Sequence, residues 1–165
     1  MGEKAGKTEI KNPSEDGKNT GVAFNKQSNI NKARCQVNNF KFGERSLNNL
    51  KGINPDLRRV VDRSLQLTER DFSVIEGLRT KERQVQLVQQ GKSKTMNSKH
   101  LTGNAVDLFP VGGNWNNYRD WLPVLNAMLK AGQELGVNLR FGITWTNNPN
   151  DTPAKFLDAP HVEIA

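Results

Sequence analysis

The sequence predicts an α+β fold: a small, mostly antiparallel sheet with helices flanking it. Three observations carry this. Apolar residues recur at helical spacing in some segments and alternate with β-branched residues in short runs elsewhere. The two kinds of segment follow one another in mixed order. Few connections are long enough for the crossovers that parallel strands require. A chain of 165 residues holds one domain, or one domain and a tail, and can bury a real core.

Taken in order, residues 1–38 show no apolar period of 2 or 3.6 and carry the turn signals Asn12-Pro13 and Asp16-Gly17. They read as a flexible N-terminal arm with Cys35 a spectator in it, ahead of a domain over residues 39–165. Ser46 is a candidate N-cap for the apolar residues Leu47, Leu50 and Ile53. Gly52 and Pro55 interrupt them, and Leu57, Val60, Val61, Leu65 and Leu67 then predict a helix over 55–67. Residues 71–77 read as a strand. Thr80 caps a helix with Val85, Leu87 and Val88 inward, ending at Gly91. After a polar loop, 104–109 reads as a strand stopped by Pro110 and Gly112-Gly113. Trp121, Leu125, Met128, Leu129 and Leu135 predict a helix over about 118–135, closed by Gly136. Residues 139–143 and 160–164 complete the strands, with a polar loop over 144–157 between them.

Composition excludes several classes. No run of 18 apolar residues exists, so no membrane span is expected. The first residues lack the apolar core of a secretory signal. A single cysteine rules out an internal disulfide framework and any multi-cysteine zinc site. The net charge of +7 favours a polyanionic partner, whether nucleic acid, anionic lipid or cell-wall polymer, or serves solubility alone. No nucleic-acid motif accompanies the charge, and no nucleic-acid partner is expected.

The chemistry gathers in two segments that hold the only two histidines, His100 and His161. Imidazole nitrogen and carboxylate oxygen are zinc ligands, and a catalytic zinc takes three of them plus an open position. His100, Asp107 and His161 supply two nitrogens and one oxygen. A spacing of seven does not put His100 and Asp107 on one helical face, but a loop bent at Gly103 and a following strand brings them together. Asp107 stands between Val106 and Leu108, where a buried carboxylate needs a partner or a metal. Ordinary surface histidines are the competing reading, and spacing alone leaves the choice open.

The motifs SxHxxGxAxD (Ser98 to Asp107) and DxPHxE (Asp158 to Glu163), with GxRTxxxQ (Gly77 to Gln84) upstream, resemble those of the VanY/endolysin group of zinc peptidases, the D-Ala-D-Ala carboxypeptidase-like metallopeptidases. Phe40-Lys41-Phe42-Gly43, and Leu139-Arg140-Phe141-Gly142 with Trp145 nearby, resemble the bacteriophage L-alanyl-D-glutamate peptidases within it. The likeness spans about residues 40–165. It implies the small α+β, hedgehog-like fold of that group, with Zn2+ on the sheet held by His100, Asp107 and His161. It implies Asp158 as general base, Arg79 as the arginine that binds and polarises substrate, and Ser98 and Gln84 as substrate-contacting or supporting residues. Glu163 is the rival base, or else the partner that orients a ligand histidine. Leu78 replaces an often aromatic residue.

The resemblance further implies hydrolysis of the L-alanyl-D-glutamate bond of the peptidoglycan stem peptide, for host lysis. A D,D- or L,D-carboxypeptidase and a non-catalytic wall-binding module are the alternatives. The expected protein is a monomer made in the host cytoplasm that needs a holin to reach the wall. Trp115, Trp121 and Trp145 read as core or cleft wall. Asp151 is the one carboxylate of the 144–157 loop, which gives no case for calcium.

Overall fold

The computed structural model describes residues 38–165. The arm and Cys35 lie outside the described residues. Among the described residues, four helices and four strands follow in mixed order: α1 (Glu44–Asn49), α2 (Pro55–Leu67), β1 (Phe72–Glu76), α3 (Lys81–Gln89), β2 (Ala105–Pro110), α4 (Leu122–Leu135), β3 (Leu139–Phe141) and β4 (His161–Ile164). Short 3-10 turns at Lys99–Thr102 and Tyr118–Trp121 precede β2 and α4. The strands form one sheet in the order β1-β2-β4-β3, and every pairing is antiparallel. Among the described residues no helix is long and apolar enough to cross a membrane.

The α2 helix forms where expected because its start is doubly specified. Asn54 Oδ1 accepts the backbone N–H of Asp56 at 2.9 Å, and Pro55 occupies the first helical position, where its missing N–H costs nothing. Its apolar stripe of Leu57, Val60, Val61 and Leu65 packs with Val124, Leu125 and Met128 of α4 over one face of the sheet. That face supplies Phe72, Val74, Val106, Leu108, Phe141 and Val162. Trp121 is fully buried, and its indole N–H donates to Leu108 O at 2.8 Å, pairing a carbonyl beyond the end of β4.

Two expectations of local structure need correction. Ser46 is not a cap: α1 begins at Glu44, and the buried Ser46 hydroxyl accepts the N–H of Val74 at 3.1 Å, tying α1 to the free edge of β1. In α3, Gln84 and Leu87 are the buried residues, while Val85 is exposed. A buried glutamine won that position because its amide has work in the adjoining site.

The face of the sheet opposite the core carries the polar residues. Alternation along β2 sends Val106 and Leu108 to the core and Asp107 the other way. In register, Asp107 faces His161, and Glu163 faces both Ala105 and Arg140. A bulge in β1 between Val74 and Glu76 brings Glu76 opposite Asp107. Without that extra residue Ile75 would stand there, and Glu76 would turn toward the core.

Candidate metal centre

His100 reaches the sheet from the 3-10 turn before β2. Ser98 caps this turn, accepting the N–H of His100 at 3.3 Å. Gly103 closes it in the left-handed region, φ 72°, which favours glycine. Its carbonyl accepts the N–H of Asn54 at 2.9 Å, and Asn54 also donates its amide to Asn104 Oδ1 at 2.8 Å. The start of α2 thus anchors the turn. His100 is 1 % exposed, and its Nδ1 donates to Gly77 O at 2.7 Å. A carbonyl can only accept, so Nε2 of the neutral ring carries the lone pair.

That lone pair meets two other donors of electron pairs. His100 Nε2 lies 3.1 Å from Asp107 Oδ1 and 3.2 Å from His161 Nδ1, and the last two are 3.2 Å apart. His161 presents Nδ1 because its Nε2 faces Glu163 Oε2 at 3.1 Å. Tetrahedral zinc with bonds of about 2.1 Å spaces its ligand atoms roughly 3.4 Å apart. The triangle therefore fits one face of a zinc tetrahedron, and the outward N–H of each histidine is held by an oxygen, as metal-bound histidines require.

Charge in the metal-free cluster follows from the same contacts. Burial alone would raise the Asp107 carboxyl, but its close contacts with the two histidines outweigh burial and hold the group well below the usual carboxylate range. Burial opposes protonation of His161, yet its bonds to Asp107 and Glu163 push it up to about 9. A proton on His161 Nδ1 thus occupies the place of a metal. Glu163 is 7 % exposed and is lowered mainly by the His161 hydrogen bond, with Arg140 adding to it. Glu163 Oε1 accepts from Arg140 at 3.3 Å, and Arg140 Nε donates to Trp145 O at 3.1 Å. The Trp145 ring lies 5.5 Å from the His161 ring, on a backbone at φ 55°. Glu163 is fully occupied in orienting His161.

Asp158 leads into β4 and is an exposed residue. Its carboxylate makes no protein hydrogen bond among the described residues. Desolvation against its surroundings raises its pKa, and the neighbouring Asp107 charge raises it further. Its carbonyl accepts the N–H of His161 at 3.1 Å, and its own N–H donates to Gly142 O at 2.8 Å. Gly142 is where this turn needs a residue without a side chain: a Cβ there would collide with the Asp158 carbonyl and stand 2.9 Å from His161 Cβ. Gly142→Ala is expected to lower stability by about 1–3 kcal/mol through this overpacking. Thermal melting should show it, with weaker metal retention as the second readout.

Arg79 is 8 % exposed at its side chain and is not free. Nε and one terminal nitrogen grip Glu76 at 2.9 and 2.5 Å, and that same terminal nitrogen lies 3.8 Å from Asp107 Oδ2. The other terminal nitrogen donates to Gln84 Oε1 at 2.7 Å. Gln84 is 0 % exposed, and its Nε2 donates to Ser93 Oγ and Thr95 O at 2.9 and 2.5 Å. Both ends of its amide are used, one on Arg79 and the other on the 93–95 loop, which is the supporting arrangement. Of Glu76 and Glu82, the ion-pair partners that the sequence offers Arg79, Glu76 is the one that pairs with it. Its only sequence signal was the spacing of three to Arg79, and the bulge that aims it is not visible in a pattern.

Sheet, cluster and flanking acid define a class: a small α+β domain with a candidate metal centre on the sheet face opposite its core. The profile of the phage L-alanyl-D-glutamate peptidase family matches residues 38–165. The L-alanyl-D-glutamate peptidase of Escherichia phage T5 is 35% identical over 134 residues, 76% of this chain and 98% of that protein. The crystal structure of the Serratia marcescens L-Ala D-Glu endopeptidase ChiX is similar with a TM-score of 0.67 and 33% identity, covering 79% of this chain and 93% of that one. The chain belongs to the phage L-alanyl-D-glutamate peptidase family.

Proposed function

We propose that this protein is a zinc endopeptidase of peptidoglycan that hydrolyses the L-alanyl-D-glutamate bond of the stem peptide, made in the host cytoplasm and released to the wall with a holin's help. The observation that carries the reading is the triangle of three lone-pair donors, 3.1 to 3.2 Å on each side, beside an acid with no protein hydrogen bond among the described residues. His100, Asp107 and His161 hold the metal. Zinc, when bound there, supplies acidification of a water and polarisation of a carbonyl.

The chain's own residues do the rest. Asp158 takes the proton of the attacking water and returns it to the departing amine, so the same carboxyl is base and then acid. The raised pKa of Asp158 suits that return. Glu163 keeps the His161 ring turned so that Nδ1 faces the centre. Arg79 is held rigid by Glu76 and Gln84, and its remaining N–H groups serve a substrate oxygen.

Purified peptidoglycan digested with the zinc-loaded protein and analysed by mass spectrometry tests this. New amino termini on D-glutamate are expected. Released D-alanine would mean a carboxypeptidase, and pelleting with the wall without cleavage would mean a binding module.

Metal binding should depend on pH in a stated sense. His161 is raised from 6.5 to about 9 in the metal-free fold, so below about pH 9 zinc must displace one proton. Zinc affinity should rise about tenfold per pH unit between pH 6 and 8.5, read by chelator competition. The metal-free protein behaves oppositely. The stabilisation from the raised histidine is complete below 6.5 and is lost as pH rises through about 9. A flat zinc affinity across this range would contradict the assignment.

The arm is proposed to be dispensable for catalysis. Asn38 already belongs to the domain, since its amide donates to Thr68 O at 2.5 Å. A chain beginning at Asn38 should fold and cleave at a rate near that of the full chain, measured on soluble stem peptide.

A further inference from the structure

On the sheet face that carries Asp107, the next residue of β2 pointing the same way is Phe109, about 7 Å further along the strand. Trp115, from the loop after β2, lies against Phe109 with ring centroids 4.6 Å apart. Its other aromatic neighbour is the buried Trp121 at 5.5 Å, and Phe109 and Trp121 meet edge-on at 5.5 Å. Yet Trp115 stays 60 % exposed, which takes it out of the core. An indole backed by two rings and open in front is a pre-formed platform, with little ordering cost left for a ligand that stacks on it.

The surroundings narrow the ligand. Residues 110–117, PVGGNWNN, hold no Lys, Arg, Asp or Glu in a chain of net charge +7, and the two charged side chains that bond this loop, Arg70 to Val111 O and Asp120 to the N–H of Asn114, pair with each other at 3.6 Å. Asn114 and Asn116 flank Trp115 in the sequence and are exposed. By contrast, the other strongly exposed aromatic near the site, Phe156, carries Lys94 at 4.0 Å and Lys155 at 5.7 Å, which suits carboxylates. An aromatic platform on an asparagine-rich loop whose nearby charges are paired suits a neutral ring that offers C–H groups on one face and hydroxyl and acetamido groups at its edge.

We propose that Trp115 forms a sugar subsite that stacks the N-acetylmuramic acid ring of the substrate. This rests on the endopeptidase reading above. In peptidoglycan the stem's L-alanine is joined to the lactyl group of that sugar, so the ring lies one residue from the scissile bond, a separation of the same order as the two-residue step along β2 from Asp107 to Phe109, against which Trp115 lies. Trp115 would then make the enzyme prefer stem peptide still attached to glycan over free stem peptide.

The test compares wild type, Trp115→Ala and Trp115→Tyr on two substrates: a muramyl peptide, and the same peptide with an acetyl cap in place of the sugar. Trp115→Ala should raise KM for the muramyl peptide about three- to tenfold with kcat little changed, and leave the capped peptide unaffected. Trp115→Tyr should restore most of the difference. Unchanged KM for the muramyl peptide, or equal losses on both substrates, would overturn the subsite. Wild-type protein that cleaved neither substrate would overturn the endopeptidase reading and the subsite with it.

Discussion

Asp158→Asn is expected to lower turnover by about 10²–10⁴-fold with zinc still bound. The amide keeps the size of the carboxyl but cannot accept a proton. The backbone of residue 158, which holds the turn into β4 through Gly142 and His161, is untouched. Nothing in the described protein depends on the Asp158 carboxylate for a hydrogen bond, so the fold should not pay for its loss. Glu163→Gln is the control. Its carboxylate orients His161 and binds Arg140, so it should cost zinc affinity by about 10–100-fold and activity through that loss. Metal content, melting temperature and kcat measured together separate the two roles. A zinc-loaded Asp158→Asn with near-native kcat, beside an inactive zinc-loaded Glu163→Gln, would reverse the assignment.

His100→Ala is expected to abolish tight metal binding, lowering zinc affinity by more than about 100-fold, the upper range for losing only an outer partner of a ligand. Activity at stoichiometric zinc should vanish with it. The substitution also empties a buried site and strands the Gly77 carbonyl, so some stability is lost irrespective of metal, on the order of 2–5 kcal/mol. Comparing melting curves with those of metal-free wild type isolates that part. Elemental analysis then reads the metal directly, and full zinc stoichiometry with tight binding in His100→Ala would sink the His100, Asp107, His161 centre.

Much of this site was legible from order and spacing. His100, Asp107 and His161 stood out because the two histidines fell in the two motif segments and a carboxylate stood in an apolar strand. The α2 boundaries followed from Pro55 and the apolar stripe, since helix-start signals and periodicity act within a few residues, while the Asn54 cap emerged only in the structure. Gly103 marked the bend before β2 for the same reason.

Other features depend on contacts between distant parts of the chain. Ser46 looked like a cap and instead serves the N–H of Val74, 28 residues away. Gln84 lies under the site because Arg79 and the 93–95 loop use both ends of its amide. Trp115 and Trp121 are the same residue type six positions apart, one exposed and one fully buried. By itself the sequence determined which elements form and which side chains have metal-binding chemistry, because propensity, capping and ligand type are local properties. Only the tertiary structure decided that Glu76 faces Asp107, that Glu163 serves His161 and that Trp115 stands open. Register, bulges and burial are set by whichever partner across the sheet satisfies each polar group and fills each space.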